Sequence, residues 1–124
     1  AMAGRMGIEL SLDDFDRLSA KIPLLANVQP SGEHFVEDIF YAGGLPAVMQ
    51  EIKHLLHLNA NTVTGKTLGE NIANAQCYDR NVIATFNNPF KAESGIAVLK
   101  GNLCPNGAVL KPSAATPKLM QHTG

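Results

Sequence analysis

The apolar period of this chain changes part-way along it, and that change limits what it can fold into. Before about residue 75, the segments 12–18 and 45–58 carry apolar side chains every three or four positions, the spacing of helices that bury one face. After Asn87-Asn88-Pro89 the composition shifts, and β-rich runs at 95–103 and 108–111 flank Cys104-Pro105-Asn106-Gly107. Asn-Gly is the strongest short hairpin signal, because both residues tolerate the positive φ that a tight turn requires. The pattern predicts an α/β chain with a boundary near residues 86–94.

Capping residues place the helices. Ala1-Met2-Ala3-Gly4-Arg5-Met6 reads as the end of a helix already under way, stopped by Gly7, which suggests a chain cut from something longer. Ser11 caps the next helix, with acidic residues in its first turn and Leu12, Phe15 and Leu18 at helical spacing, ending before Pro23. The apolar run 24–28 between Pro23 and Pro30 predicts a buried strand. Ser31 is placed as the cap of a short helix through Phe40, broken at Gly43 and Gly44. Val48, Ile52, Leu55 and Leu56 predict one amphipathic helix over 45–58, with Pro46 in its first turn. A strand or loop then leads to Gly65, and Thr67 opens a last short helix to Ala75.

Charge excludes several partners. Ten basic residues stand against eleven acidic ones with no like-charge block, so nothing marks a nucleic-acid or anionic membrane surface. No apolar stretch approaches the roughly 20 residues that span a bilayer, and no secretory segment is recognisable, so the expected compartment is the cytoplasm. Charged residues are 17% of the chain against a usual share of roughly 25%, which hints at more burial than one small domain provides.

Candidate chemistry is sparse. Gly65-Lys66-Thr67 matches the end of a phosphate-binding loop, but Ala60 stands where the first glycine is required, so Thr67 is read as a helix cap and Lys66 as solvated. His54 and His57, three apart, would share a face of the predicted helix but lack a third and fourth ligand. His34, Glu37 and Asp38 read as a solvated polar face. Cys77 and Cys104 form no ligand motif and are expected as free thiols. Ser113 has no neighbouring general base.

Several runs occur in order along essentially the whole chain: Pro30-Ser31-Gly32-Glu33, then Glu37-Asp38-Ile39-Phe40-Tyr41-Ala42-Gly43-Gly44-Leu45-Pro46-Ala47-Val48, then Thr62-Val63-Thr64-Gly65-Lys66-Thr67-Leu68-Gly69-Glu70-Asn71. Asn88-Pro89-Phe90, Gly101-Asn102-Leu103, Pro105, Gly107-Ala108-Val109 and Lys111 follow. Together they resemble the dihydroxy-acid and sugar-acid (phosphogluconate, pentonate) dehydratase family. Tyr41-Ala42-Gly43-Gly44-Leu45-Pro46 and Leu110-Lys111-Pro112-Ser113-Ala114-Ala115 look more like the arabinonate and pentonate branch than the branched-chain amino-acid enzyme.

The resemblance implies a hydro-lyase that removes water from a 2,3-dihydroxy acid to give a 2-keto-3-deoxy acid, using an iron-sulfur cluster and a magnesium ion. Such metals polarise the departing hydroxyl while a base takes the C2 proton. The family's cluster cysteines, magnesium ligands and serine base match no position here, so no catalytic or metal residue is expected in this segment. It also implies that residues 1–88 end a large α/β domain, that 89–124 begin a smaller swivelling β domain with its first hairpin, and that the parent is a homo-oligomer. The segment's partners would be an aldonic or dihydroxy acid and the remainder of the dehydratase chain, and Lys66 and Thr67 would line or support the substrate cleft. A piece of this kind is expected to be inactive alone and to expose an apolar patch. The competing reading is a small stand-alone interaction module without chemistry.

Overall fold

The computed structural model describes residues 2–92, 95–116, 118, 121 and 123. It is mixed α/β: five short helices, α1 (Met2–Arg5), α2 (Leu12–Ser19), α3 (Val36–Tyr41), α4 (Gly44–Glu51) and α5 (Leu68–Ile72), and an antiparallel pair, β1 (Ala97–Leu99) with β2 (Ala108–Leu110). No described helix is long and apolar enough to cross a membrane. The chain divides into two compact units, one spanning 24–92 and the other joining 1–23 to 93–124.

In the unit spanning 24–92, the run 24–28 is extended as expected, but it pairs through single bridges rather than a continuous ladder. Leu24 bridges Lys91, Ala26 bridges Ile83 and Val28 bridges His34. The bridges set Leu25, Val82, Ile83 and Ala84 inside; Ile83 is fully buried among Ala42, Ala47 and Val82, with Ile39, Val48 and Cys77 against them. Gly43 starts α4 with φ +121°, and a methyl group there would collide with the Gln76 carbonyl and with Ala47. The Gly43-Gly44 break is therefore both a conformational and a packing requirement.

Three sequence expectations are corrected. Ser31 does not cap a helix: residues 31–33 form a turn in which the Ser31 and Gly32 amides donate to the Val28 carbonyl at 3.0 and 2.8 Å. The helix begins after Phe35, whose amide donates to Asp38 Oδ2 at 2.7 Å. The helix expected over 45–58 stops at Glu51 and continues only as a 3-10 turn, Lys53–Leu55, leaving Leu55 41% exposed. Finally, the link between the strands is longer than the expected Cys104–Gly107, because β1 ends at Leu99 and the eight residues 100–107 separate it from β2. Gly107 enters β2 at φ +97° beside Leu12 and Val98.

In the other unit, Gly7 (φ +69°) follows α1 as expected. Ser11 and Asp14 form a reciprocal cap: Ser11 N and Oγ donate to Asp14 Oδ2 at 3.0 and 2.8 Å, and Asp14 N donates back to Ser11 Oγ at 3.3 Å. Helix α2 meets the hairpin through Leu12, through Asp13 paired with Lys100, and through Asp16, whose Oδ1 accepts from Val98 N at 3.4 Å. Phe15 and Leu18, which share helical spacing with Leu12, stay half exposed. The buried apolar residues among those described all belong to the 24–92 unit.

Two outcomes follow from this packing. Ile83→Ala should remove about 2–5 kcal/mol from the 24–92 unit, read as a lower urea midpoint, because no neighbour can collapse fully into the space. The Asp14 carboxyl is held at about 2, below its ordinary 3.8, first by the Ser11 amide and then by the Arg17 and Ser11 side chains. Its stabilising contribution is thus complete above about pH 4 and is lost as pH falls through 2. The Ser11 amide resonance should titrate in that window, and Asp14→Asn should abolish the transition.

Candidate functional site

Among the described residues, the segment 59–71 carries a dense set of side-chain hydrogen bonds at the surface. Gly65, at φ +77°, turns the chain so that the Thr62 amide donates to the Lys66 carbonyl at 3.0 Å and the Gly65 amide to the Thr62 carbonyl at 3.1 Å. Thr62 Oγ1 donates to the same Lys66 carbonyl at 2.7 Å and accepts from Asn71 Nδ2 at 2.7 Å. Thr64 Oγ1 lies 2.9 Å from Thr62 Oγ1 and 3.1 Å from Asn71 Oδ1. Asn71, on α5, thereby fastens the turn to the helix that follows it.

Thr67 caps α5 as its sequence position predicts. Its amide and hydroxyl donate to Glu70 Oε2 at 2.7 and 2.9 Å, and its hydroxyl accepts from the Glu70 amide at 3.2 Å. These bonds lower the Glu70 pKa, the Thr67 backbone contributing most. The amides that would cradle a phosphate are already engaged: Lys66 N with Thr64 Oγ1, Thr67 N with Glu70, Leu68 N with the Ala60 carbonyl and Gly69 N with the Leu58 carbonyl. The turn is a closed structural device and lacks the open amide nest of a nucleotide loop. Lys66 alone projects a charge from it, and its side chain is exposed.

The other candidates are dispersed. Because α4 ends at Glu51, His54 lies on the 3-10 turn and His57 beyond it, so the shared helical face does not form. His54 packs edge-on against Phe86, ring centroids 4.5 Å apart. His34 Nδ1 is 3.7 Å from Asp38 Oδ2, whose carboxylate also holds the start of α3. Cys77 is half buried, with Sγ 3.3 Å from the Asp79 carbonyl, and Cys104 is exposed; both are free thiols, as expected. Among the described residues no three His, Cys, Asp or Glu side chains gather as a metal site. The Ser113 side chain lies outside the described residues.

One feature had no sequence signal beyond an isolated charge. Arg80 Nη1 reaches Glu51 Oε1 at 2.7 Å, a bond that raises the arginine pKa further. The pair borders a cleft of about 370 Å³ lined by Ala47, Gln50, Ala75, Gln76 and Cys77. The separation of 29 positions along the chain hides their pairing from any local pattern.

Comparison with known families gives two adjacent matches. The family model described as Dihydroxy-acid/6-phosphogluconate dehydratase N-terminal matches residues 1–71, and its C-terminal counterpart matches residues 81–124. Among curated relatives, a dihydroxy-acid dehydratase of Acetivibrio thermocellus is 49% identical over all of this chain and 23% of its own length. An L-arabinonate dehydratase of Rhizobium leguminosarum bv. trifolii is 46% identical over all of this chain and 22% of its length. An L-arabonate dehydratase of Azospirillum brasilense is 45% identical with the same coverage. The chain therefore spans less than a quarter of the length of these relatives.

The geometry separates the two residues of the turn. Thr67→Ala should cost on the order of 1 kcal/mol at the start of α5, seen as about fivefold faster hydrogen exchange at the Glu70 amide. Lys66→Ala should leave that exchange unchanged.

Proposed function

The chain belongs to the dihydroxy-acid/6-phosphogluconate dehydratase family, and on that premise we propose that it is a segment of a hydro-lyase that converts a 2,3-dihydroxy or sugar acid to its 2-keto-3-deoxy product. The observation that carries this reading is the succession of the two family models, N-terminal then C-terminal, along one short chain. Residues 1–88 are assigned to the end of a large α/β domain and 89–124 to the opening of a smaller swivelling β domain. The change of family model between residues 71 and 81 supports a division in this part of the chain. The substrate is an aldonic acid of the pentonate class, a branch supported by the Tyr41–Pro46 and Leu110–Ala115 motifs. Dihydroxy-acid and arabinonate enzymes match at similar identity.

The parent enzyme is assigned an iron-sulfur cluster and magnesium, a cytoplasmic location and a homo-oligomeric state. The described side chains do not fit either metal centre, since no three ligating groups converge, so their ligands are assigned to the remainder of the polypeptide. This segment's contribution is to substrate binding. Lys66, exposed at the rim of a rigid turn, offers its ammonium to the acid's carboxylate, and Thr67 supports it from behind by fixing the start of α5.

The test begins with the mass of the native protein that carries this segment, compared with 13.2 kDa. A much larger polypeptide with dehydratase activity is expected, and a native mass matching this chain would sink the proposal. In that polypeptide Lys66→Ala should raise KM for the aldonic acid roughly tenfold, the loss of one charge-assisted hydrogen bond, with a smaller change in kcat. An unchanged KM would remove Lys66 from the cleft.

A further inference from the structure

Helix α3 is apolar on two sides. Ile39 and Ala42 face inward against Ala47, Val82 and Ile83. One turn apart on another side, Val36 and Phe40 are 73% and 74% exposed, and Tyr41, meeting the Phe40 ring edge-on at 5.5 Å, is 67% exposed. Phe35 immediately before the helix and Leu45 shortly after it are exposed to a similar degree. Its polar residues are Glu37 and Asp38, and Asp38 is turned back onto the Phe35 amide.

A surface helix ordinarily presents a polar face to water; here the apolar arc runs on from Ile39 past Val36 and Phe40, wider than the part that this chain buries, as in a helix set inside a larger protein. Adjacent exposed aromatic side chains also have the composition of contact surfaces, where large rings contribute most of the binding. The relatives supply the missing volume: this chain accounts for only 22–23% of their length.

We propose that the face formed by Phe35, Val36, Phe40, Tyr41 and Leu45 is an internal contact surface, covered in the parent by dehydratase polypeptide lying outside this chain. The inference rests on the reading of the chain as a segment of a dehydratase, and it names the surface through which the segment is joined to the rest. None of these five side chains is charged, and exposed Glu37, one turn before Tyr41, lies at their edge, so the occupant is predominantly apolar and an anionic ligand would be repelled.

Hydroxyl-radical footprinting read by mass spectrometry tests this without mutation. Oxidation of Phe40 and Tyr41 should be about tenfold slower in the native parent polypeptide than in this chain, as for aromatic residues desolvated at an interface centre. In this chain it should not vary with protein concentration. Equal oxidation in a catalytically active parent would overturn the surface assignment while leaving the dehydratase reading intact. Protection that grows with the concentration of this chain would overturn it in favour of a second copy. A source cell in which no longer polypeptide carries the segment would overturn both.

Discussion

Asn27 holds three stretches of the 24–92 unit together, and the placement of the core depends on it. Its amide donates to the Val82 carbonyl at 2.9 Å and its carbonyl accepts from the His34 amide at 3.1 Å. Its side chain accepts from the Glu33 amide at 3.0 Å and donates to the Asn81 carbonyl at 3.2 Å. Both backbone and side-chain groups are thus satisfied within a half-buried strand that has no regular neighbour on either side. The turn can close on Asn27 only because Gly32 has no side chain, since a Cβ there would overlap the asparagine itself. Once the run 24–28 is fixed, Ile83 and Ala84 are set opposite it, and α3 and α4 pack over them.

The helix starts were legible where an acid stands three residues after the cap. Ser11 with Asp14 and Thr67 with Glu70 satisfy that rule, and both form the reciprocal bonds. Ser31 fails it, because His34 occupies the third position, whereas Phe35 is followed at that distance by Asp38. The acid, which bonds the backbone amide, decided where α3 begins, although phenylalanine has no oxygen to complete the box. The length of α4 was not legible for a different reason. A 3-10 turn repeats every three residues, so the spacing Ile52, Leu55, Leu56 satisfies a helical period even after the α-helix has ended. The hairpin was found but its turn was not: Gly107 supplies the positive φ, at the mouth of β2 instead of between paired residues.

The site was legible in part for reasons of chemistry. Thr67 was readable as a cap because capping is local in sequence. The way Thr62, Thr64 and Asn71 consume one another's hydrogen-bonding capacity depends on a turn closing over nine residues, which no spacing rule anticipates. Family membership was carried by ordered motifs spread over the chain, not by any ligand set, and those motifs coincide with structural necessities such as the Gly43-Gly44 break and the Thr67 cap. Sequence likeness here records how the backbone must turn, which explains why relatives named for different substrates match this chain about equally well.

The stretch between Glu51 and Arg80 leaves and returns at a single place. Ala47 and Ile83 anchor its two flanks in the core, and the ion pair joins its ends at 2.7 Å. Between these ends the chain touches the core again at Ile72 and Cys77, and the Tyr78 amide bonds the Ala42 carbonyl. Only the exposed connections between those contacts count as flexible loops, for which doubling the length costs about 0.6 kcal/mol in closure entropy. Added length would therefore be tolerated only at exposed positions clear of Ile72, Gln76 and Cys77, where it leaves the packing of α4 and Ile83 at the base undisturbed.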